Sequence, residues 1–173
     1  MIDQKAHKIA FLIEEARRWV GVEEQGNNSG QLIQIWQKAI DAKAVQEPWC
    51  MCFVQSQIKT IDNLFYKVFG ITNFSKVYQS EHCFTVWQKS PQEIKSKIPV
   101  PGAIAVWKQK DSTSGHTGIV VSVNLAQKTF KTIEGNTSPG GGIVREGQGV
   151  YEKTRTMDGQ GNLELLGFHT PWP

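Results

Sequence analysis

Apolar residues recur at helical spacing in three stretches of the first half of the chain. Ile9, Leu12, Ile13, Ala16 and Val20 are separated by Lys8, Glu15, Arg17 and Arg18, and Asp3 stands where an N-cap belongs. This pattern predicts an amphipathic helix over about 4–20. The run Gly26-Asn27-Asn28-Ser29-Gly30 then breaks the period, and Ser29 is suited to cap a second helix carrying Leu32, Ile33, Trp36, Ala39 and Ile40. A third stripe, Phe53, Val54, Ile58, Ile61 and Phe65, follows Pro48-Trp49-Cys50. Proline favours a helix's first turn, so Cys50 is expected there too. Val77, Phe84 and Trp87 can share one face, and Ser90-Pro91-Gln92-Glu93 combines a cap, an N1 proline and a capping-box glutamate for a short helix at about 91–97.

From Pro99 onward the texture changes to β-branched and apolar runs punctuated by glycine and asparagine. Strands are expected at Ala103 to Trp107, Thr117 to Val123, Thr129 to Glu134, Gly142 to Arg145, Gly149 to Arg155 and Leu165 to His169. Helices first and strands afterwards, without βαβ alternation, predict an α+β fold in which N-terminal helices pack on an antiparallel sheet.

Length and charge narrow the functional classes. The 173 residues suit one domain spanning the whole chain, large enough to fold without a disulfide or metal staple. A net charge of +3 with scattered Lys and Arg lacks the basic stripe of a nucleic-acid binder. No apolar run is long enough for membrane insertion. The N-terminus, broken by Glu14, Glu15, Arg17 and Arg18, lacks the apolar core of a signal peptide, so synthesis in the cytoplasm is expected. Three cysteines, Cys50, Cys52 and Cys83, are an odd and sparse set, which leaves at least one thiol outside any internal pair.

The chemistry concentrates on Cys50. Unpaired N–H groups and the partial positive charge of a helix N-terminus favour a thiolate there. Cys52, about 200° further around the same helix, should face away and serve packing. In the second half, Gly115-His116-Thr117-Gly118 opens a strand. If 116–123 and 127–134 form a hairpin, His116 lies opposite Glu134 on the same face, and strand alternation adds Asn136 to that face. A one-residue slip would separate them. A thiolate needs a base to share its proton, and the imidazole needs an acceptor on its other nitrogen. Alone, Glu134 also reads as a solvated strand end and Asn136 as a turn residue.

These pieces resemble the CHAP domains, cysteine, histidine-dependent amidohydrolases and peptidases that cut peptidoglycan. The resemblance is carried by Gly21-Val22-Glu23-Glu24, Asn28-Ser29-Gly30, Pro48-Trp49-Cys50, Pro101-Gly102-Ala103, Gly115-His116-Thr117-Gly118 and Ile133-Glu134-Gly135-Asn136, in that order. Ala103 stands where the family often has Asp. The resemblance implies a papain-like domain with Cys50 as nucleophile and His116 as general base and acid. Glu134 and Asn136 match the orienting positions. Some members bind calcium through an Asp-rich loop before the cysteine; here 41–49 holds only Asp41 and Glu47, so no metal and no cofactor are expected.

Trp49, Glu23 and Asn28, with Glu24 and Asn27 beside them, are candidates for shaping the substrate cleft. The resemblance implies peptidoglycan as partner of a monomer. The expected setting is that of a phage endolysin released through a holin, or of an antibacterial effector delivered by secretion machinery and matched by an immunity protein. Two other readings stand beside it. One keeps the thioester chemistry in a transferase or protein deamidase. The other is a zinc-binding interaction module built on Cys50, Cys52, His82 and Cys83, whose ligand types suit zinc but whose spacing departs from Cys-x-x-Cys.

Overall fold

The computed structural model describes residues 3–140 and 147–173. The strand expected at Gly142 to Arg145 lies outside them. Among the described residues, helices α1 (Gln4–Arg17), α2 (Gln31–Asp41), α3 (Cys50–Phe69) and α4 (Cys83–Lys89) precede a 3-10 turn at Gln92–Ile94 and six strands. The strands are β1 (Lys95–Ser96), β2 (Ile104–Gln109), β3 (Gly115–Asn124), β4 (Thr129–Thr137), β5 (Gly149–Thr156) and β6 (Leu163–His169). They form one antiparallel sheet in the order β1-β6-β2-β3-β4-β5. This is the α+β arrangement expected from helices followed by strands.

Local chemistry explains the helix ends. Asp3 caps α1, its Oδ1 accepting the Ala6 N–H at 3.1 Å. Two end expectations are corrected. Gly30 rather than Ser29 is the N-cap of α2, because the chain enters that helix at φ 133°, a conformation open to glycine. Trp49 is the N-cap of α3, which leaves Pro48 just outside the helix and Cys50 as its first residue. α3 ends at Gly70, whose φ of 66° forms a left-handed cap.

Strand alternation splits the core in two. Ile104, Val106, Ile119, Val121 and Ile133 turn toward the helices, where they meet Leu12, Ile33, Trp36, Phe53 and Ile61. Each such fully buried side chain stabilises the fold by about 1.5–3 kcal/mol. Ala103, Ala105, Trp107, Val120, Phe130 and Phe168 form a second cluster on the other face. The two chain ends are tied to α3 by Asp62, which accepts from Lys8 Nζ at 2.7 Å and from Trp172 Nε1 at 2.8 Å. Among the described residues no helix is long and apolar enough to cross a membrane.

The β3–β4 hairpin differs from the expected register in an instructive way. Asn124 pairs with Thr129 across a turn at 125–128, and a bulge between Val120 and Ser122 shifts the ladder so that Ile119 faces Ile133. Glu134 therefore lies across from Gly118, two residues beyond His116, instead of opposite His116 itself. Because the shift is even, both side chains keep the same face.

Candidate active site

Two close approaches of side chains to glycine backbone build the site. At Gly135 a Cβ would come within 2.7 Å of both Phe53 Cβ and Trp49 Cζ3, so α3 rests its first turns directly on β4. That contact sets Cys50 beside the end of β4. At Gly118 a Cβ would come within 2.6 Å of Glu134 Cγ. With no side chain there, Glu134 lies flat across β3 and reaches His116, whose Nε2 donates to Glu134 Oε2 at 2.7 Å.

Glu134 is completely buried, and its carboxylate is fully engaged. Arg155 Nε donates to Oε1 at 2.7 Å and Nη2 to Oε2 at 2.5 Å, while the Thr132 hydroxyl donates to Oε1 at 2.5 Å. Burial alone would raise this carboxyl, but the Arg155 hydrogen bonds and the His116 charge outweigh it and hold it down at about 2. A carboxylate so held is a fixed negative charge behind the imidazole. Burial likewise works to lower His116, yet the Glu134 charge and hydrogen bonds to Cys50 and Glu134 raise it to about 9. Since Nε2 is taken by Glu134, Nδ1 is the nitrogen left to Cys50.

Cys50 is 6 % exposed, and its pKa lies well below that of an ordinary thiol. The largest cause is a hydrogen bond with Cys83, Sγ to Sγ 3.6 Å; burial opposes it, and His116 and the Met51 N–H reinforce it. The site thus stabilises a thiolate and imidazolium side by side, with helix N–H groups at the sulfur. Cys50, His116, Cys83, Asn136 and Arg155 line one cleft of about 770 Å³.

Asn136 reaches this cleft by a different route from the alternation expected for it. Its φ is 53°, and the β4–β5 ladder is irregular between Glu134 and Thr137. With its carboxamide oriented by the surrounding hydrogen bonds, its nitrogen donates to the Gly147 carbonyl at 2.6 Å and its oxygen accepts the Trp49 N–H at 3.3 Å. Asn136 therefore ties down the start of α3, rather than bonding the imidazole.

Three residues expected to shape the substrate cleft lie elsewhere. Trp49 is wholly buried, packed on Trp36 at 5.4 Å between ring centroids, with its Nε1 donating to Glu24 Oε1 at 2.7 Å. An indole on the inward side of the helix start cannot also line the cleft. Glu23 and Asn28 border a separate polar hollow of about 350 Å³ beside Gly147 and Gln148. There Glu23 accepts from the Tyr151 hydroxyl, and Asn28 donates its backbone N–H to Glu24.

Sequence reasoning missed two members of the site. Arg155 carries a signal, being a charged residue at an inward position of a strand, in register with Phe130 on the face that also bears Glu134. For Cys83 the sequence offers only a place in a zinc site. The structure brings it to Cys50, while Cys52 is fully buried with its thiol pushed upward by burial and by the neighbouring Cys50. Among the described residues no group of three or more His, Cys, Asp or Glu side chains is arranged to hold a metal.

A family model for the CHAP domain matches residues 42–136, more than half of the chain. The chain belongs to the CHAP domain family. The matched stretch contains Cys50, His116, Glu134 and Asn136, and Arg155 lies beyond it. Among solved structures, the crystal structure of a wild type endolysin, LysIME-EF1, aligns with 14 % identity and a TM-score of 0.45, over 95 % of this CHAP chain and 64 % of the endolysin chain. The CHAP chain thus spans less than two thirds of the endolysin's length. Comparison with curated proteins gives no match.

Proposed function

We propose that this CHAP domain is a cysteine amidohydrolase that hydrolyses amide bonds of bacterial peptidoglycan, acting as a muramoyl-alanine amidase or a stem-peptide endopeptidase. The observation that carries the reading is the chain of contacts from Cys50 at a helix N-terminus through His116 to Glu134, open to one cleft. Peptidoglycan as substrate rests on membership of the family.

Catalysis begins with attack of the Cys50 sulfur on the amide carbonyl carbon. The carbonyl electrons move to oxygen, and the unpaired N–H groups of the first turn of α3 favour that oxyanion. His116 gives its Nδ1 proton to the amide nitrogen, the C–N bond breaks and the amine leaves, with a thioester on Cys50. Water then attacks the thioester as His116 takes its proton, and the carboxylic acid departs from the regenerated thiolate. Glu134, held by Arg155 and Thr132, keeps the imidazole oriented through both steps.

The test is incubation of the wild-type protein and Cys50→Ala with sacculi from several bacteria, followed by mass spectrometry of released fragments. Wild-type-only products are expected, and their new termini distinguish amidase from endopeptidase. Equal release by both proteins, or none from any wall, overturns the reading.

A further inference from the structure

Cys83 touches the Cys50 sulfur, yet the reaction steps above do not use it. It opens α4, immediately after the N-cap His82, and is 4 % exposed. Two features hold it against Cys50. The segment before it is pinned to α3 by Gln55, whose Nε2 donates to the carbonyls of Tyr78 and Ser80, both at 3.0 Å. On the other side, Cys83 packs against β3 at Gly115, where a Cβ would come within 3.0 Å of Cys83 Cβ and 2.3 Å of the Trp107 carbonyl oxygen. The two sulfurs end 3.6 Å apart, inside the same cleft as His116.

We propose that Cys83 is a positioning residue that donates its S–H to the Cys50 sulfur and keeps it an anion aimed at the cleft. The direction of the bond follows from the neighbours. His116 takes the Cys50 proton, so the Cys50 sulfur can only accept, and Cys83 keeps its own proton and can only donate. The two thiols are displaced in opposite directions, Cys50 downward and Cys83 upward, each chiefly through their shared hydrogen bond. The titratable and charged groups that share the cleft with Cys50 are His116 from β3 and Cys83 from α4, with Glu47, Glu81, His82 and Arg155 along its wall, while the buried Cys52 of the same helix lies outside it. Of these, His116 and Cys83 are the hydrogen-bonding side chains on its sulfur. A thiol is a weaker donor than an ammonium, but this one is held directly against the Cys50 sulfur. The proposal rests on Cys50 being the nucleophile.

The test measures Cys50 directly. Reduced wild type, Cys83→Ser, Cys83→Ala and Cys83→Val are alkylated with iodoacetamide from pH 5 to 9, and the rate at Cys50 is read by peptide mass spectrometry. Without the donor, in Ala and Val, the midpoint should rise by about one pH unit, so that alkylation below the midpoint is about tenfold slower; Ser, which keeps a donor, should stay near wild type. Val preserves the packing that Ala removes, so a loss in Ala alone marks a merely structural role and overturns the proposal. Profiles identical to wild type in both, or Ser as slow as Val, also overturn it. Iodoacetamide needs no wall substrate, so this outcome is independent of whether sacculi are cleaved.

Discussion

The sharpest consequence of the site's construction concerns a residue with no functional group. Gly118 lacks a positive φ, so alanine can adopt its backbone conformation and the cost of Gly118→Ala is contact alone. The new Cβ would sit 2.6 Å from Glu134 Cγ and 3.1 Å from both the Ile133 carbonyl oxygen and Thr132 Cβ. Carbon atoms rest about 3.5–4.0 Å apart, so Glu134 must withdraw by about 1 Å. It cannot yield freely, because Arg155, Thr132 and His116 all hold its carboxylate. A withdrawal of that size stretches the 2.7 Å bond from His116 beyond hydrogen-bond range. Misplacement of about 1 Å in a catalytic constellation costs on the order of 100-fold in rate, and overpacking a core costs about 1–3 kcal/mol in stability. The assay is the initial rate of fragment release from sacculi, alongside thermal unfolding. Wild-type turnover in Gly118→Ala would refute the reasoning, since it would mean that His116 does not depend on Glu134 held in this pose.

Two further outcomes concern stability. Asp62→Asn leaves the Lys8 ammonium, 1 % exposed, without its charged partner; the expected loss is about 3 kcal/mol, or roughly 10 °C in Tm, and Lys8→Met added to it should restore part of that, whereas an unchanged Tm in the single variant would contradict the buried-pair account. His169 is completely buried, neither ring nitrogen meets a partner among the described residues, and burial with the nearby Lys95 lowers it to about 4. Its pKa is depressed on folding, so between about 6.5 and 4 the unfolded chain binds a proton that the folded one refuses, and stability drops by about 3 kcal/mol as the pH is lowered through that window. His169→Phe should flatten this part of the Tm-against-pH curve relative to wild type; parallel curves for the two proteins would argue that His169 contributes none of it.

Most of the elements and the candidate site residues are legible from local patterns in the chain. Helical periodicity located α1, α2 and α3, β-branched runs located β2 to β6, and short motifs singled out Cys50, His116, Glu134 and Asn136. Such signals are local: each depends on residues a few positions apart. The meetings between distant segments come from packing alone. The bulge in β3 moved Glu134 across from Gly118, and only the missing side chain at Gly118 lets the carboxylate reach His116. The positive φ of Asn136 within β4 redirected its carboxamide to the start of α3. Trp49 adjoins Cys50 in sequence yet points into the core, because consecutive residues at a helix start face different ways. Arg155 and Cys83 enter through the β4–β5 register and the docking of α4 on β3. Register, bulges and close approaches at glycine are set by how whole elements pack, and no local period encodes them.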